Sequence, residues 1–404
     1  MSKILVLSAH GTQLDRRIVA EANALVASGR DLILVSVPTR LSAEGLDPRV
    51  RVVVQKSDSF ESPSVARRLA KRLPAGLYDA AQSMWYRFGE GPSPHNTAYF
   101  LRNAPGDCYD AVHCHDLKTL PAGAEIRERD CPKARLVYDS HEFFPFQSAN
   151  RSFQRYWTRI ERRAIEEADL IITVNESIAR EMADLYSVAR PRALYNSYGA
   201  GSSGTALSEN EFLTYFRAPP GDGAKVLFQG NLSLNRNLKN LVAAFPRLRG
   251  RARLFLLGDG SERTALERLC RRKRIDNVYF GPWVVQDRLL DFVRAADVGV
   301  IPYQGGRLLN NRYCTPNKLF EYIEAGIPVC ASDLPELRRI ICECGIGGVY
   351  PMNSPAEIAR ALSDCLSRRE GREFAPESFA SARDRFSWRT QAAKLLEWYE
   401  ELGV

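Results

Sequence analysis

The sequence is short of the features that would place it in several common classes. No apolar run approaches the roughly 20 residues that a membrane span requires, so the 404-residue chain reads as soluble and cytoplasmic. Its N-terminus passes from one lysine into a short apolar stretch without a small-residue cleavage site, and reads as a first strand rather than an export signal. Nine cysteines, Cys108, Cys114, Cys131, Cys270, Cys314, Cys330, Cys342, Cys344 and Cys365, form no CxxC and no paired zinc spacing. They are expected to be free thiols in a reducing compartment. No GxGxxG follows a predicted strand and GxxxxGK[ST] is absent, which removes dehydrogenase and P-loop NTPase readings. No GxSxG elbow is present either. The basic residues form no stripe interleaved with aromatics, so nucleic acid is not an expected partner.

What is present is the composition of a globular protein, 45% hydrophobic and 26% charged, long enough for two or three domains. The net charge of +8 is spread over both halves and favours anionic partners. Short β-branched runs alternate with helical patterns from end to end, the signature of parallel sheets with crossover helices. The fold class is therefore α/β.

Strands are predicted at 3–8, 31–37, 50–54, 111–114, 135–139 and 170–174, and then at 225–229, 253–257, 278–280, 298–301 and 328–332. A helix over 15–28 places Ile18, Ala22, Leu25 and Val26 on one face and closes at Gly29. Further helices are centred near Leu241, Leu266, Leu290 and Phe320. A glycine and serine stretch after Ser197 marks the boundary between an N-terminal Rossmann-like domain, 1–198, and a C-terminal one, 225–386, with 199–224 as linker and entry segment. An amphipathic helix at 387–404 is expected to pack back on the first domain as a brace. Two such lobes leave a cleft at the carboxyl ends of their strands, where open parallel sheets bind ligands. Residues 64–88, with Arg67, Arg68, Lys71 and Arg72 beside Trp85 and Tyr86, read as a solvated insertion or a peripheral membrane contact.

Several strand-to-helix turns carry phosphate-friendly groups. His10-Gly11 follows the first strand, where glycine lets a ligand approach the backbone or simply makes the turn. The loop Gln229-Gly230-Asn231 ends at Arg236, which either pairs bidentately with a diphosphate or caps nothing at the surface. In Thr315-Pro316-Asn317-Lys318-Leu319-Phe320-Glu321, Thr315 is expected to cap a helix beginning at Pro316, leaving the amides of Asn317 and Lys318 as an anion site. Glu321, one turn on, can accept both hydroxyls of a ribose, or is an ordinary helix-face carboxylate. All five histidines lie in the first half. His113 and His115 share one strand face and His141 ends the next strand, which suits polar contacts to a substrate. With no further converging ligand specified, no metal is expected.

Together these segments resemble the retaining glycosyltransferases of family 4, with the two-lobed GT-B fold. The resemblance spans nearly the whole chain. It rests on Asp15-Arg16-Arg17-Ile18 with Glu21-Ala22, on Val112-His113-Cys114-His115-Asp116-Leu117, and on Tyr138-Asp139-Ser140-His141-Glu142. It also rests on Ala168 to Asn175, Pro316-Asn317-Lys318-Leu319-Phe320-Glu321-Tyr322, and Ala331 to Glu336. The resemblance implies a UDP- or GDP-linked sugar on the second lobe, with Glu321 on the ribose and Gly230, Asn231, Arg236, Asn317, Lys318 and Leu319 around the diphosphate and sugar. Gly11 would touch the diphosphate from the first lobe. His141, Arg236 and Lys318 would carry catalysis, and His10, His115, Asp116 and Glu142 would face a glycan or lipid-linked acceptor. Neither metal nor cofactor is implied. Two positions depart from the family pattern: Tyr313 stands where the first glutamate of E-x7-E belongs, and Asn231 where a phosphate-binding arginine belongs. A nucleotide-sugar epimerase or hydrolase, or a subunit that binds without turnover, stays open beside the transferase reading.

Overall fold

The computed structural model describes residues 2–9, 15–37, 45–53, 77, 83–84, 86–87, 93–197, 205–306 and 308–404. It divides into two compact units: Met1–Tyr195 with Arg307–Asn310 and Gln391–Val404, and Asn196–Gly306 with Asn311–Thr390. His10, Gly11 and nearly all of 64–88 lie outside the described residues.

The first unit is built on a parallel sheet of strands β1 (Lys3–Ser8), β2 (Asp31–Ser36), β3 (Arg51–Val53), β4 (Ala111–His115), β5 (Arg135–Ser140), β6 (Leu170–Thr173) and β7 (Arg192–Ala193). The order is β3-β2-β1-β4-β5-β6-β7, so the winding direction reverses between β1 and β4. Near-continuous apolar strands such as Lys3–Ser8 are what a sheet covered on both faces requires. Helix α1 (Arg16–Ala27) begins at Asp15, whose side chain accepts from the Arg17 amide, and buries Ile18, Glu21, Ala22, Leu25 and Val26. Four of those five are hydrocarbon; Glu21 is the exception that matters below.

The second unit repeats the plan with β8 (Ala224–Gln229), β9 (Ala252–Leu257), β10 (Val278–Gly281), β11 (Val298–Ile301), β12 (Val329–Ser332) and β13 (Gly347–Tyr350). Their order is β10-β9-β8-β11-β12-β13, reversing between β8 and β11. Helix α2 (Leu238–Ala244) follows β8 and α3 (Asn317–Ala325) follows β11.

The C-terminal helix α4 (Trp388–Glu401) packs in the first unit, where Leu395, Trp398 and Tyr399 join Ile4, Val6, Ile18, Leu25, Leu34 and Val137 in one core. Arg30 secures its end by donating to the Val404 carbonyl at 2.6 Å.

Four sequence expectations shift. β7 and β13 were not anticipated; the former is two residues long, and the latter opens with two glycines, poor strand signals both. The second half of the expected linker instead forms a helix, Glu209–Tyr215, started by a reciprocal capping box between Ser208 and Glu211. β12 starts at Val329, because Pro328 has no N–H for the ladder and offers only its carbonyl, to Gly299. Finally, Thr315 does not cap α3. Pro316 holds an extended backbone, φ −72° and ψ 140°, and is itself the cap residue rather than the first helical one.

Candidate functional site

In the second unit the chemistry gathers where the strand order reverses. Gly230, after β8, adopts φ +111°, and a Cβ there would lie 3.7 Å from the Lys318 ammonium. Only glycine lets the backbone turn here and leaves the space beside Lys318 open. Arg236, in the turn before α2, lays its guanidinium over the Tyr303 ring at 4.3 Å. Lys318 sits 4.6 Å from the Phe228 ring centre and 4.8 Å from that of Tyr303, and donates to the Tyr303 hydroxyl. Burial first, and the Arg236 charge second, press its pKa down to about 7, against the opposing pull of Glu321. Two cations thus share one tyrosine, with little carboxylate to balance them. Glu321 is buried and accepts from Gln229 Nε2 at 3.0 Å.

The amino end of α3 lies in the same group. Asn317 and Lys318 are its first two residues, whose N–H groups have no acceptor within the helix. Lys318 therefore brings both an amide and an ammonium to this end. Leu319 does not join them. Its side chain is fully buried and its amide donates to the Pro316 carbonyl at 2.9 Å, so its place is in the core. The exposed Asn231 side chain passes close to Gly260, where a Cβ would come within 2.5 Å of Oδ1. The turn holding Gly260 was missed by sequence reasoning, although Gly258-Asp259-Gly260 at a strand end was a signal. Gly258, at φ +136°, lets that turn press on Gly230, whose carbonyl would be 2.2 Å from an added Cβ. A cavity of about 570 Å³ opens beside Tyr303 at the ends of β11, β12 and β13, lined in part by Gln304, Ser332, Asp333, Tyr350 and Asn353.

In the first unit, residues of alternate parity on β4 read Ala111, His113, His115, and those on β5 read Val137, Asp139. One sheet face thus changes from hydrocarbon to imidazole and carboxylate toward its carboxyl edge. In register, His115 stands opposite Asp139 and Ser8. The Asp139 carboxylate is shared by His115 Nδ1 at 3.1 Å and His141 Nε2 at 2.8 Å. His113 Nδ1 meets the Tyr399 hydroxyl at 2.6 Å, while its Nε2 points toward Glu21 and Asp139 at 3.8 and 3.9 Å.

His113, His115 and His141 are all buried: His115 Nδ1 and His141 Nε2 meet Asp139 and each other, and His113 Nδ1 meets Tyr399. Burial would raise the pKa of Asp139, but the His141 charge and the hydrogen bonds with His115 and His141 hold it well below the carboxylate range. Burial and the Arg17 charge oppose protonation of His141, yet Asp139 and Asp116 outweigh them and its pKa is raised. Burial, with the neighbouring His113, pushes His115 down to about 3.

Asp116 and Glu142 remain the partly or fully exposed groups of the predicted acceptor set among the described residues. Asp116 has φ 66°, an uncommon backbone for a residue with a side chain, and its carboxylate accepts from the His141 amide at 3.2 Å. Arg17, paired with Asp15 through two hydrogen bonds of 3.0 and 2.7 Å, also reaches the His141 carbonyl at 3.4 Å. Helix start and strand end are thereby tied together.

Residues 223–368 match the family model described as glycosyl transferases group 1, and residues 14–199 match that of the glycosyl transferase 4-like domain. The chain belongs to the group 1 glycosyltransferases. The chain is similar to an uncharacterized glycosyltransferase of Methanocaldococcus jannaschii, 26% identical over 73% of this chain and 76% of that protein, and to a D-inositol 3-phosphate glycosyltransferase of Xylanimonas cellulosilytica, 24% identical over 99% and 96%. The two sheets are the Rossmann-like lobes of the GT-B fold. Sucrose-phosphate synthase from Thermosynechococcus elongatus superposes with a TM-score of 0.70 at 17% identity, covering 100% of this chain and 99% of that one. Anabaena HepE in complex with UDP gives 0.67 at 15%, covering 99% and 100%. No helix among the described residues of this glycosyltransferase is long and apolar enough to cross a membrane.

Proposed function

We propose that this glycosyltransferase moves a sugar from a UDP- or GDP-linked donor to a hydroxyl of a glycan or lipid-linked acceptor, with retention of configuration and without a catalytic metal. The observation that carries the reading is the convergence of Arg236, Lys318 and the amino end of α3 on one spot beside Gly230. Such a spot stabilises a diphosphate as it departs, through charge-assisted hydrogen bonds in a partly dry setting. HepE, which shares this fold, has been solved in complex with UDP and with UDP-glucose, which supports a nucleotide-sugar donor here.

In this reading Glu321, one turn beyond Lys318, takes the ribose hydroxyls, with Gln229 fixing its orientation. The bond between the anomeric carbon and the phosphate oxygen breaks, and the negative charge collecting on the diphosphate meets Arg236 and Lys318. The acceptor oxygen bonds to the anomeric carbon on the face the diphosphate leaves, and its proton passes to the departing phosphate oxygen. Asp116 and Glu142 are the acceptor-side residues we assign to the first unit. The cavity beside Tyr303 provides polar room for the donor's sugar.

A second reading has a specific support: Asn231 is turned toward Gly260 and Tyr313 replaces a glutamate, so the chain would bind a nucleotide sugar without turning it over. A thermal-shift screen of nucleoside diphosphates and their sugars, followed by donor consumption against an acceptor panel, separates the two. Stabilisation by one donor with acceptor-dependent consumption supports transfer. Stabilisation without consumption supports the binding subunit, and consumption without acceptor supports an epimerase or hydrolase. No stabilisation by any nucleotide rejects the site.

A further inference from the structure

We propose that the first unit holds one structural divalent transition-metal ion of the zinc class, bound by Glu21, His113, His115 and Asp139. The four side chains come from α1, β4 and β5 and each offers a ligand atom, all within 4.8 Å of one another and all buried. Two of those atoms, Glu21 Oε2 and His113 Nε2, are buried without any hydrogen-bond partner. A native interior almost never leaves two such atoms facing each other unsatisfied.

The spacing favours an ion over a direct bond. His113 Nε2 lies 3.8 Å from Glu21 Oε2 and 3.9 Å from Asp139 Oδ2, too far for an N–H···O bond of about 2.7–3.2 Å. Two bonds of about 2.0–2.1 Å to one ion leave their ligand atoms up to about 4.2 Å apart, which these distances satisfy.

The outer contacts fit as well. His113 Nδ1 is paired with the Tyr399 hydroxyl at 2.6 Å. With its proton on Nδ1, the ring presents a bare lone pair at Nε2, the arrangement in which an outer hydrogen bond orients a ligating histidine. His113 and His115, two apart on one strand, project from the same face by the period of the strand. Charge also closes: two carboxylates balance a divalent ion. Two imidazoles with two carboxylates suit zinc. Calcium and magnesium demand six or more oxygens.

With four protein ligands and no exposed edge, this ion would brace the sheet, α1 and α4, and would take no part in sugar transfer. The inference is independent of the donor site in the second unit.

The test is metal analysis of the untagged full-length chain, purified without added metal, by mass spectrometry of the elements. We expect about one zinc per chain, retained through gel filtration and released on unfolding in chelator. Refolding with cobalt(II) should give visible absorption of a four-coordinate nitrogen and oxygen site. His113→Gln and Glu21→Gln should abolish the metal. Should those variants fail to fold, Tyr399→Phe, which keeps the ring, should still fold and weaken metal affinity 10- to 100-fold. A folded wild-type chain carrying no stoichiometric transition metal, with the same melting temperature whether zinc is added or withheld and no cobalt absorption, overturns the proposal.

Discussion

The two units share one winding plan and treat buried charge in opposite ways. In the first, carboxylates and imidazoles at the ends of β4 and β5 are turned inward and answer one another. In the second, Arg236 and Lys318 crowd a single tyrosine with an excess of positive charge. Pairing between buried polar groups adds rigidity, whereas two cations gathered at the edge of a loop favour an anion. The same contrast sets opposite pH behaviour, with a buried acid of raised pKa in one and a buried base of lowered pKa in the other.

The largest expected effect tests the inward side. Asp139→Ala removes the acceptor shared by His115 and His141 and should cost about 3–5 kcal/mol of stability, as losing one partner of a buried pair does. Urea unfolding measures it, and a loss below about 1 kcal/mol would mean that the histidines are held by something else.

Next is the pH test of the acid. Burial raises Glu161 to about 7, despite hydrogen bonds from Tyr138 at 2.6 Å and Tyr186 at 2.5 Å. The folded molecule therefore keeps a proton that the unfolded chain releases above its ordinary value of 4.5. Stability from this group is complete at low pH and drains away between about 4.5 and 7, by up to roughly 3 kcal/mol. Relative to Glu161→Gln, the wild type should lose melting temperature as pH rises from 5 to about 8. Parallel profiles would show that Glu161 is ionised throughout.

On the outward side, Arg236→Ala and Glu321→Ala should each weaken nucleoside diphosphate binding by about 1–3 kcal/mol, the size of a lost charged hydrogen bond. Isothermal titration reads this directly. Unchanged affinity in both variants would remove the donor site from β8 and α3, whereas Asp116→Asn should leave nucleotide affinity where it was.

The smallest effect is a fraction of a proton. Lys318, near 7 when free of ligand, sheds its proton in the folded state well below the unfolded value of 10.5, so its contribution to stability rises with pH across that window. A bound diphosphate should restore the charge. Titrations near pH 8 in buffers of different ionisation heat should reveal proton uptake, and Lys318→Met should abolish it. Heats that do not vary with the ionisation heat of the buffer in the wild type would show that Lys318 stays charged without ligand.

Much of this was legible from local pattern. β1 and β11 run over the expected residues, and α1 begins after Asp15 and ends before Ser28 and Gly29, because strand alternation, a side-chain cap and a terminal glycine are all short-range signals. Arg236, Lys318 and Glu321 were legible too, since a loop after a strand and the first turn of the next helix are near neighbours along the chain. Less was visible where a residue's environment depends on distant segments. That His115 and His141 are buried and share the Asp139 carboxylate is written in neither of their own motifs. The close approach of Gly260, from the turn after the adjacent strand, to the Asn231 side chain was equally invisible in the sequence.

The sequence alone thus determined the winding of both sheets and the placing of cations at the ends of β8 and the start of α3, since each depends on periodicity and on contacts a few residues long. Tertiary structure decided which polar groups are free and which are consumed. Glu21, His113, Asp139 and Tyr399 come together only after α1, β4, β5 and α4 have packed, and no spacing in the chain encodes a contact that loops of such different length must close.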